Sequence, residues 1–285
     1  MVPSLSILCM LVSFIISFGL PISLFFIFKK RYTMRIQPLL FGVVGFILFA
    51  MVLEQILHWV VLRPDADGGI ALRAKPLIYI LYGCFAAGIF EETARFIAFS
   101  ILKYRNKKAA AIAISNIDTG SASAKKRRDV GEALSYGIGH GGIEAVLLLG
   151  FAMISNIVVS IMINMGMSAL FENHEQISAG IQQLASMQPY MFLVGGLERI
   201  FAVIIQISLS VIVWISVNAK GKKWLYAAAV LLHALIDVPA ALMQCGILKS
   251  VAVVELIVAV SAVAVVWIAV LTYKKYDIEA EDASE

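Results

Sequence analysis

Seven stretches of this sequence are long and apolar enough to cross a bilayer, running approximately over 4–28, 38–62, 76–102, 130–165, 189–217, 224–243 and 250–273. About 20 apolar residues suffice for one crossing. In hydrocarbon every backbone polar group must be paired internally, so such segments fold as helices or as a closed barrel. Barrel strands alternate with period two, and these runs are unbroken. Composition points the same way: 61% of the 285 residues are apolar and 15% charged, against about 45–50% and about 25% in soluble domains. The sequence therefore predicts an all-α polytopic membrane helix bundle with seven transmembrane helices, and excludes a soluble globular, disordered or fibrous chain. The fourth run, about 36 residues or roughly 54 Å of helix, is long for one straight crossing. It tilts, projects from the membrane or breaks near Gly150. A break with re-entry makes eight segments the alternative.

Basic residues set the orientation, because cytoplasmic loops carry an excess of Lys and Arg. With the N-terminus outside, 17 of the 23 basic residues fall in cytoplasmic segments: Lys29 to Arg35, Lys103 to Arg128, Lys220 to Lys223, and Lys274 with Lys275. Four, Arg63, Arg73, Lys75 and Lys249, fall outside, and Arg95 and Arg199 lie within spans. The expected topology is N-terminus out and C-terminus in, in a cell membrane and most simply the bacterial cytoplasmic membrane. Residues 1–275 read as one transmembrane domain, with a basic cytoplasmic linker over 103–129 and an outer loop over 166–188. That loop spaces Met167, Leu170, Phe171, Ile177, Ile181 and Leu184 as an interfacial helix would. The acidic tail 276–285 reads as disordered.

The first run lacks the charged leader of a cleavable signal, and is expected to remain as a membrane helix. Cys9, Cys84 and Cys245 sit in apolar surroundings without CxxC spacing, so no disulfide framework or cysteine zinc cage is expected. The net charge of +4 comes from basic residues at membrane edges, and no nucleic-acid partner is expected. The expected partners are the lipid bilayer and a peptide or membrane-protein substrate.

Ionisable groups inside a bilayer cost about 2.5–3.5 kcal/mol each at a helix centre, so they pair, face the bundle interior or work. The third run carries Glu91, Glu92 and Arg95, the fourth Glu132, His140 and Glu144, the fifth Glu198 and Arg199, the sixth His233 and Asp237, and the second Glu54 and His58. Glu91, His140 and His233 lie roughly 16, 15 and 14 Å from the cytoplasmic ends of their helices at 1.5 Å per residue. Three helices thus bring a carboxylate and two imidazoles to one level. Glu91 and Arg95, His140 and Glu144, and His233 and Asp237 are each four apart, on one helical face. Such a set offers a carboxylate for proton transfer, imidazoles that bind or polarise, and a guanidinium that orients. Gly137, Gly139, Gly141 and Gly142 around His140 let helix backbones approach closely.

Glu91-Glu92-Thr93-Ala94-Arg95, Tyr136-Gly-Ile-Gly-His140 and His233-Ala-Leu-Ile-Asp237 resemble the motifs of the CAAX-processing and bacteriocin-processing intramembrane endopeptidases. The GHGGIEA run and the EETARF variant look most like the related YhfC group of membrane peptidases. The resemblance implies a base role for Glu91 or Glu92, acting on water. It implies that His140 holds that water, that His233 and Asp237 stabilise an oxyanion, and that Arg95 orients the glutamates. Both metal-dependent and metal-free glutamate mechanisms have been described for the larger family. Zinc held by His140, His233 and Glu91 is one reading, although there is no HExxH. Asp237 stands where Asn is common, adding negative charge.

Each group also has a plain structural reading. Glu91, Glu92 and Arg95 can be an ion pair between helices, His140 an interhelical hydrogen bond, and His233 with Asp237 a local pair beside Pro239. Glu144 reads as a supporting or proton-path residue, Glu198 with Arg199 as a structural charge pair, and Glu54 with His58 as packing or solvation. The expected function is intramembrane peptide hydrolysis near the cytoplasmic side. A proton-coupled transporter and an inactive binding or scaffold protein are the alternatives, because fold analogy does not fix function.

Overall fold

The computed structural model describes residues 1–66, 68–115, 130–167 and 175–276. Side chains 110–115 and 175–177 lie outside that description, as do the KKRR run, His174 and residues 277–285. Among the described residues there is no strand, and seven helices are long and apolar enough to span a membrane. They are α1 (Ser4–Lys29), α2 (Ile36–Leu62), α3 (Pro76–Ser115), α4 (Gly131–Asn164), α6 (Pro189–Asn218), α7 (Trp224–Gln244) and α8 (Val251–Lys275). A shorter helix, α5 (Glu175–Ser186), lies in the loop after α4, where the spacing predicts an interfacial helix.

Local chemistry explains the boundaries. α2 ends where Arg63 turns left-handed (φ 44°), because the residue before Pro64 is disfavoured in the α region. α6 begins on Pro189, whose missing N–H costs nothing in a first turn. α7 ends in a turn closed by Gly246 (φ 70°), whose N–H donates to the Met243 carbonyl. The Ser250 hydroxyl caps α8 by accepting from the Val253 N–H.

Two expectations need correction. The eight-segment alternative fails: α4 does not break and re-enter but is one continuous helix, with π turns over Val146–Gly150. Its 34 residues measure about 51 Å, beyond a hydrocarbon core of about 30 Å. Nor does a linker begin at 103. α3 continues to Ser115, through Lys, Arg and Ala residues of high helix propensity. A second π segment, Phe46–Leu53, lies inside α2.

α6 is the axis of the bundle, with α1, α3, α4, α7 and α8 packed on it. α4 lies between α2 and α6, and its glycines allow this. A methyl on Gly139 would collide with the Leu39 backbone, and one on Gly137 would sit 2.5 Å from the Ile207 Cα. The main core holds Phe99, Leu102, Tyr136, Ile212 and Trp214, all essentially inaccessible. It lies on the side of the bundle where α3 leaves and α4 enters. There Glu132 is bound by Arg35, by Asn106 Nδ2 at 2.8 Å and by Trp214 Nε1 at 3.3 Å.

Candidate functional site

The EETARF turn of α3 presents two glutamates that point about 100° apart, and they take different partners. Glu92 is wholly buried, accepts from Arg95, and meets His233 Nδ1 from α7 at 2.7 Å. Glu91 turns towards α4 and α6. Its Oε2 lies 2.8 Å from His140 Nε2 and accepts from Gln206 Nε2 at 3.0 Å. Arg95 Nη2 lies 3.6 Å and His233 Nε2 3.9 Å from the same oxygen. Among the described residues nothing hydrogen-bonds the other oxygen, Oε1.

Arg95, also fully buried, binds Glu92, the Gln206 Oε1 and the Ser210 hydroxyl, the last at 3.2 Å. Its closer carboxylate is therefore Glu92, not the Glu91 that shares its i,i+4 spacing. Glu144 accepts from Gln206 Nε2 at 2.7 Å and from Arg199 Nη1 at 2.9 Å. Arg199 also binds Glu198, so the expected charge pair exists and extends into the site. The His140 ring is held between Tyr136, nearly parallel at 5.8 Å, and the edge of Phe46 at 5.2 Å.

The structure thus brings Glu91, Glu92, Arg95, His140, Glu144 and His233 into one buried network. Asp237 sits at its margin, with its side chain 38% exposed and Oδ2 3.7 Å from His233 Nε2. Two residues read otherwise in the sequence belong here too. Gln206 bridges Glu91, Glu144 and Arg95, and as a neutral amide it does not stand out among the ionisable groups of the spans. Its signal was an amide in a run of apolar residues. Glu54, read as packing, is buried within electrostatic reach of Glu91, His233 and Asp237. It follows the π segment of α2, and such turns recur at functional sites.

A metal fits this donor set. One ligand atom each from Glu91, His140 and Glu144 lie within 4.8 Å of one another, and all three residues are buried. Two carboxylates and an imidazole are donors able to hold a metal ion. Glu144 stands in this cluster beside Glu91 and His140; His233, named with them in the sequence reading, meets Glu92 through Nδ1 and keeps Nε2 3.9 Å from Glu91. The charge balance agrees. Among the described residues, Glu91, Glu92, Glu144, Glu198 and Asp237 face Arg95 and Arg199 as their permanently charged cations. Among the described residues five buried side-chain polar atoms lack a partner, and three of them, Glu92 Oε2, His140 Nδ1 and Tyr136 Oη, belong to residues of the network or stacked on it. Such atoms are rare unless water or an ion serves them.

Fold and site together define a multi-pass membrane protein with a buried Glu/His/Glu cluster of the kind that supports metal- or glutamate-assisted hydrolysis. The profile of the YhfC intramembrane metalloprotease family matches residues 16–116 and 123–258. The uncharacterized membrane protein YhfC of Bacillus subtilis (strain 168) is 36% identical over 258 residues, which cover 89% of this chain and 91% of that protein. The chain belongs to the YhfC family, which is related to the CAAX- and bacteriocin-processing type of intramembrane protease. No solved structure matches it.

Proposed function

We propose that this protein is an intramembrane endopeptidase that hydrolyses a peptide bond of a membrane-associated substrate. The supporting observation is the meeting of Glu91, His140 and His233, from three helices, in one lipid-shielded network. Glu91 is the base. Its Oε1 takes a proton from water as the water oxygen attacks the scissile carbonyl, and the proton then passes to the leaving amine. His140, clamped by Tyr136 and Phe46, holds the Glu91 carboxylate in place. Glu92 and Arg95 fix the His233 ring through Nδ1. With both ring nitrogens protonated, Nε2–H becomes the donor for the developing oxyanion. Asp237 steadies that nitrogen from the open side. In the metal-dependent form of the reading, Glu91, His140 and Glu144 would instead hold zinc, which would supply Lewis acidity towards water or the carbonyl.

In this reading residues 1–275 work as one membrane domain, with the N-terminus outside and the C-terminus inside. The charge bias across the loops supports that orientation. The bacterial relative supports placement in a bacterial cytoplasmic membrane. The test is cleavage of a membrane-tethered reporter by Glu91→Gln, Glu92→Gln, His140→Ala and His233→Ala. Each should lose cleavage while still inserting in the membrane, and retained proteolysis in all four rejects the assignment.

One observation favours a second reading. Glu54 Oε1 lies 3.2 Å from His58 Nε2, and His58 Nδ1 lies 2.8 Å from Tyr82 Oη. That chain can carry protons, as a coupled transporter requires. Uptake by purified protein in liposomes, without cleavage, would favour it.

A further inference from the structure

The network is backed by the core on one side and borders a cavity, through Asp237, on the other. Towards the basic loops it is backed by the core of Phe99, Leu102, Tyr136, Ile212 and Trp214. Towards the opposite ends of the helices, a cavity of about 400 Å³ runs between α2, α3 and α7. It reaches from Ala87 and Asp237 to Leu62, Tyr79 and Gln244, at the ends of three helices that adjoin segments 63–75 and 245–250. Its volume lies within the range of about 300–1,000 Å³ typical of ligand sites. From Tyr79 to Ala87 it extends about 12 Å along α3, enough for three or four residues of extended chain at about 3.3 Å each.

The walls suit a peptide backbone. His58, Tyr82, Tyr79, Gln244 and Asp237 all line the cavity. Tyr79 Oη donates to Gln244 Oε1 at 3.0 Å, and His58 pairs with Tyr82, so the polar groups are already oriented. Asp237, the most exposed member of the network, stands where the cavity meets it. The lipid-facing crevice between α1, α2 and α4 is different: it is lined by Phe18, Pro21, Phe25, Leu39 and other uncharged residues, and none belongs to the network.

We propose that substrate and water reach the Glu/His centre through this cavity, from the face that carries segments 63–75 and 245–250. The substrate is then a peptide strand presented on the face opposite the basic loops. The charge bias makes that face extracytoplasmic, which reverses the expectation of cleavage near the cytoplasmic side. The inference rests on the peptidase reading for the nature of the substrate, and on the cavity alone for the side of entry.

The test is one-sided labelling with a charged, membrane-impermeant thiosulfonate reagent. Cys9, Cys84 and Cys245 are first replaced by Ala, and full-length Ala87→Cys and Ala240→Cys are compared in right-side-out and inside-out vesicles. Ala71→Cys marks the face of segment 63–75, and Lys220→Cys marks the basic face. Either cavity cysteine should react at least tenfold faster from the side on which Ala71→Cys reacts. Reaction only from the Lys220→Cys side, or from neither side while denatured protein reacts, overturns the proposal. Labelling Ala87→Cys from the Ala71 side should also stop reporter cleavage. If labelling behaves as expected but unlabelled protein never cleaves, the peptidase reading fails and the route of entry stands. If cleavage is real but labelling comes from the basic face, only the route fails.

Discussion

Replacing Gln206 by Leu offers the sharpest check on the network. Its amide donates to Glu91 at 3.0 Å and to Glu144 at 2.7 Å, and its carbonyl oxygen accepts from Arg95. Hydrogen bonds to charged groups contribute about 1.5–3 kcal/mol each, so losing the two donors costs about 3–6 kcal/mol. Ordinary interhelical hydrogen bonds in membranes average only about 0.6 kcal/mol, so a network of neutral groups would lose about 1 kcal/mol. Burial of the leucine returns little, because the unfolded reference in lipid is equally apolar. The two cases differ enough to be separated by detergent-driven unfolding in mixed micelles, followed by tryptophan fluorescence. We expect a loss of at least about 3 kcal/mol for Gln206→Leu. Gln206→Glu should lose as much, because it sets a third carboxylate between two others. A loss near 1 kcal/mol would refute the claim that Glu91 and Glu144 are held there as charges.

Metal analysis of protein purified without chelator should find about one zinc per chain, lost in Glu144→Gln and in His140→Ala but kept in His233→Ala. Equal loss in His233→Ala would restore the ligand set read from the sequence. Gly137→Ala should destabilise by about 1–3 kcal/mol through overpacking, because its methyl would lie 2.5 Å from the Ile207 Cα. Gly180→Ala meets nothing within 4 Å, and the same unfolding assay should show it neutral or up to about 1 kcal/mol more stable.

The spans were legible because the rule that creates them is local: a run of about 20 apolar residues has few other ways to satisfy its backbone in lipid. The run at 38–62 became Ile36–Leu62, and the run at 224–243 became Trp224–Gln244. The end of α3 was not legible, because a hydropathy reading stops at Lys103 whereas helix propensity continues to Ser115. In the site, equal depth along three helices foretold the meeting of Glu91, His140 and His233. Depth carries no azimuth, however. Whether Glu144 or His233 completes the set with Glu91 and His140 depends on how α4 and α7 are rotated about their axes. For α4 the contacts are those of Gly139 with Leu39 and Gly137 with Ile207, and for α7 the close approach of the Val230 carbonyl to Gly88, all between residues far apart in sequence.

The paired glutamates take separate partners, and the separate tasks proposed for them can be tested. Glu92 and Arg95 are both fully buried. Removing one partner of such a pair strands a buried charge, at about 3–5 kcal/mol. In Glu92→Gln an amide oxygen still faces Arg95, but among the described residues the nearest remaining countercharge is the more distant Glu91. Glu91→Gln leaves the Arg95–Glu92 pair intact and keeps an amide oxygen near His140. It should therefore lose less stability than Glu92→Gln and be inactive. Glu92→Gln should be inactive chiefly because it is destabilised and because His233 loses its anchor. Unfolding measured beside cleavage per folded molecule separates the two cases. If Glu91→Gln proves the less stable variant while Glu92→Gln stays folded and inert, the base is Glu92, and Glu91 is the group that holds the helices together.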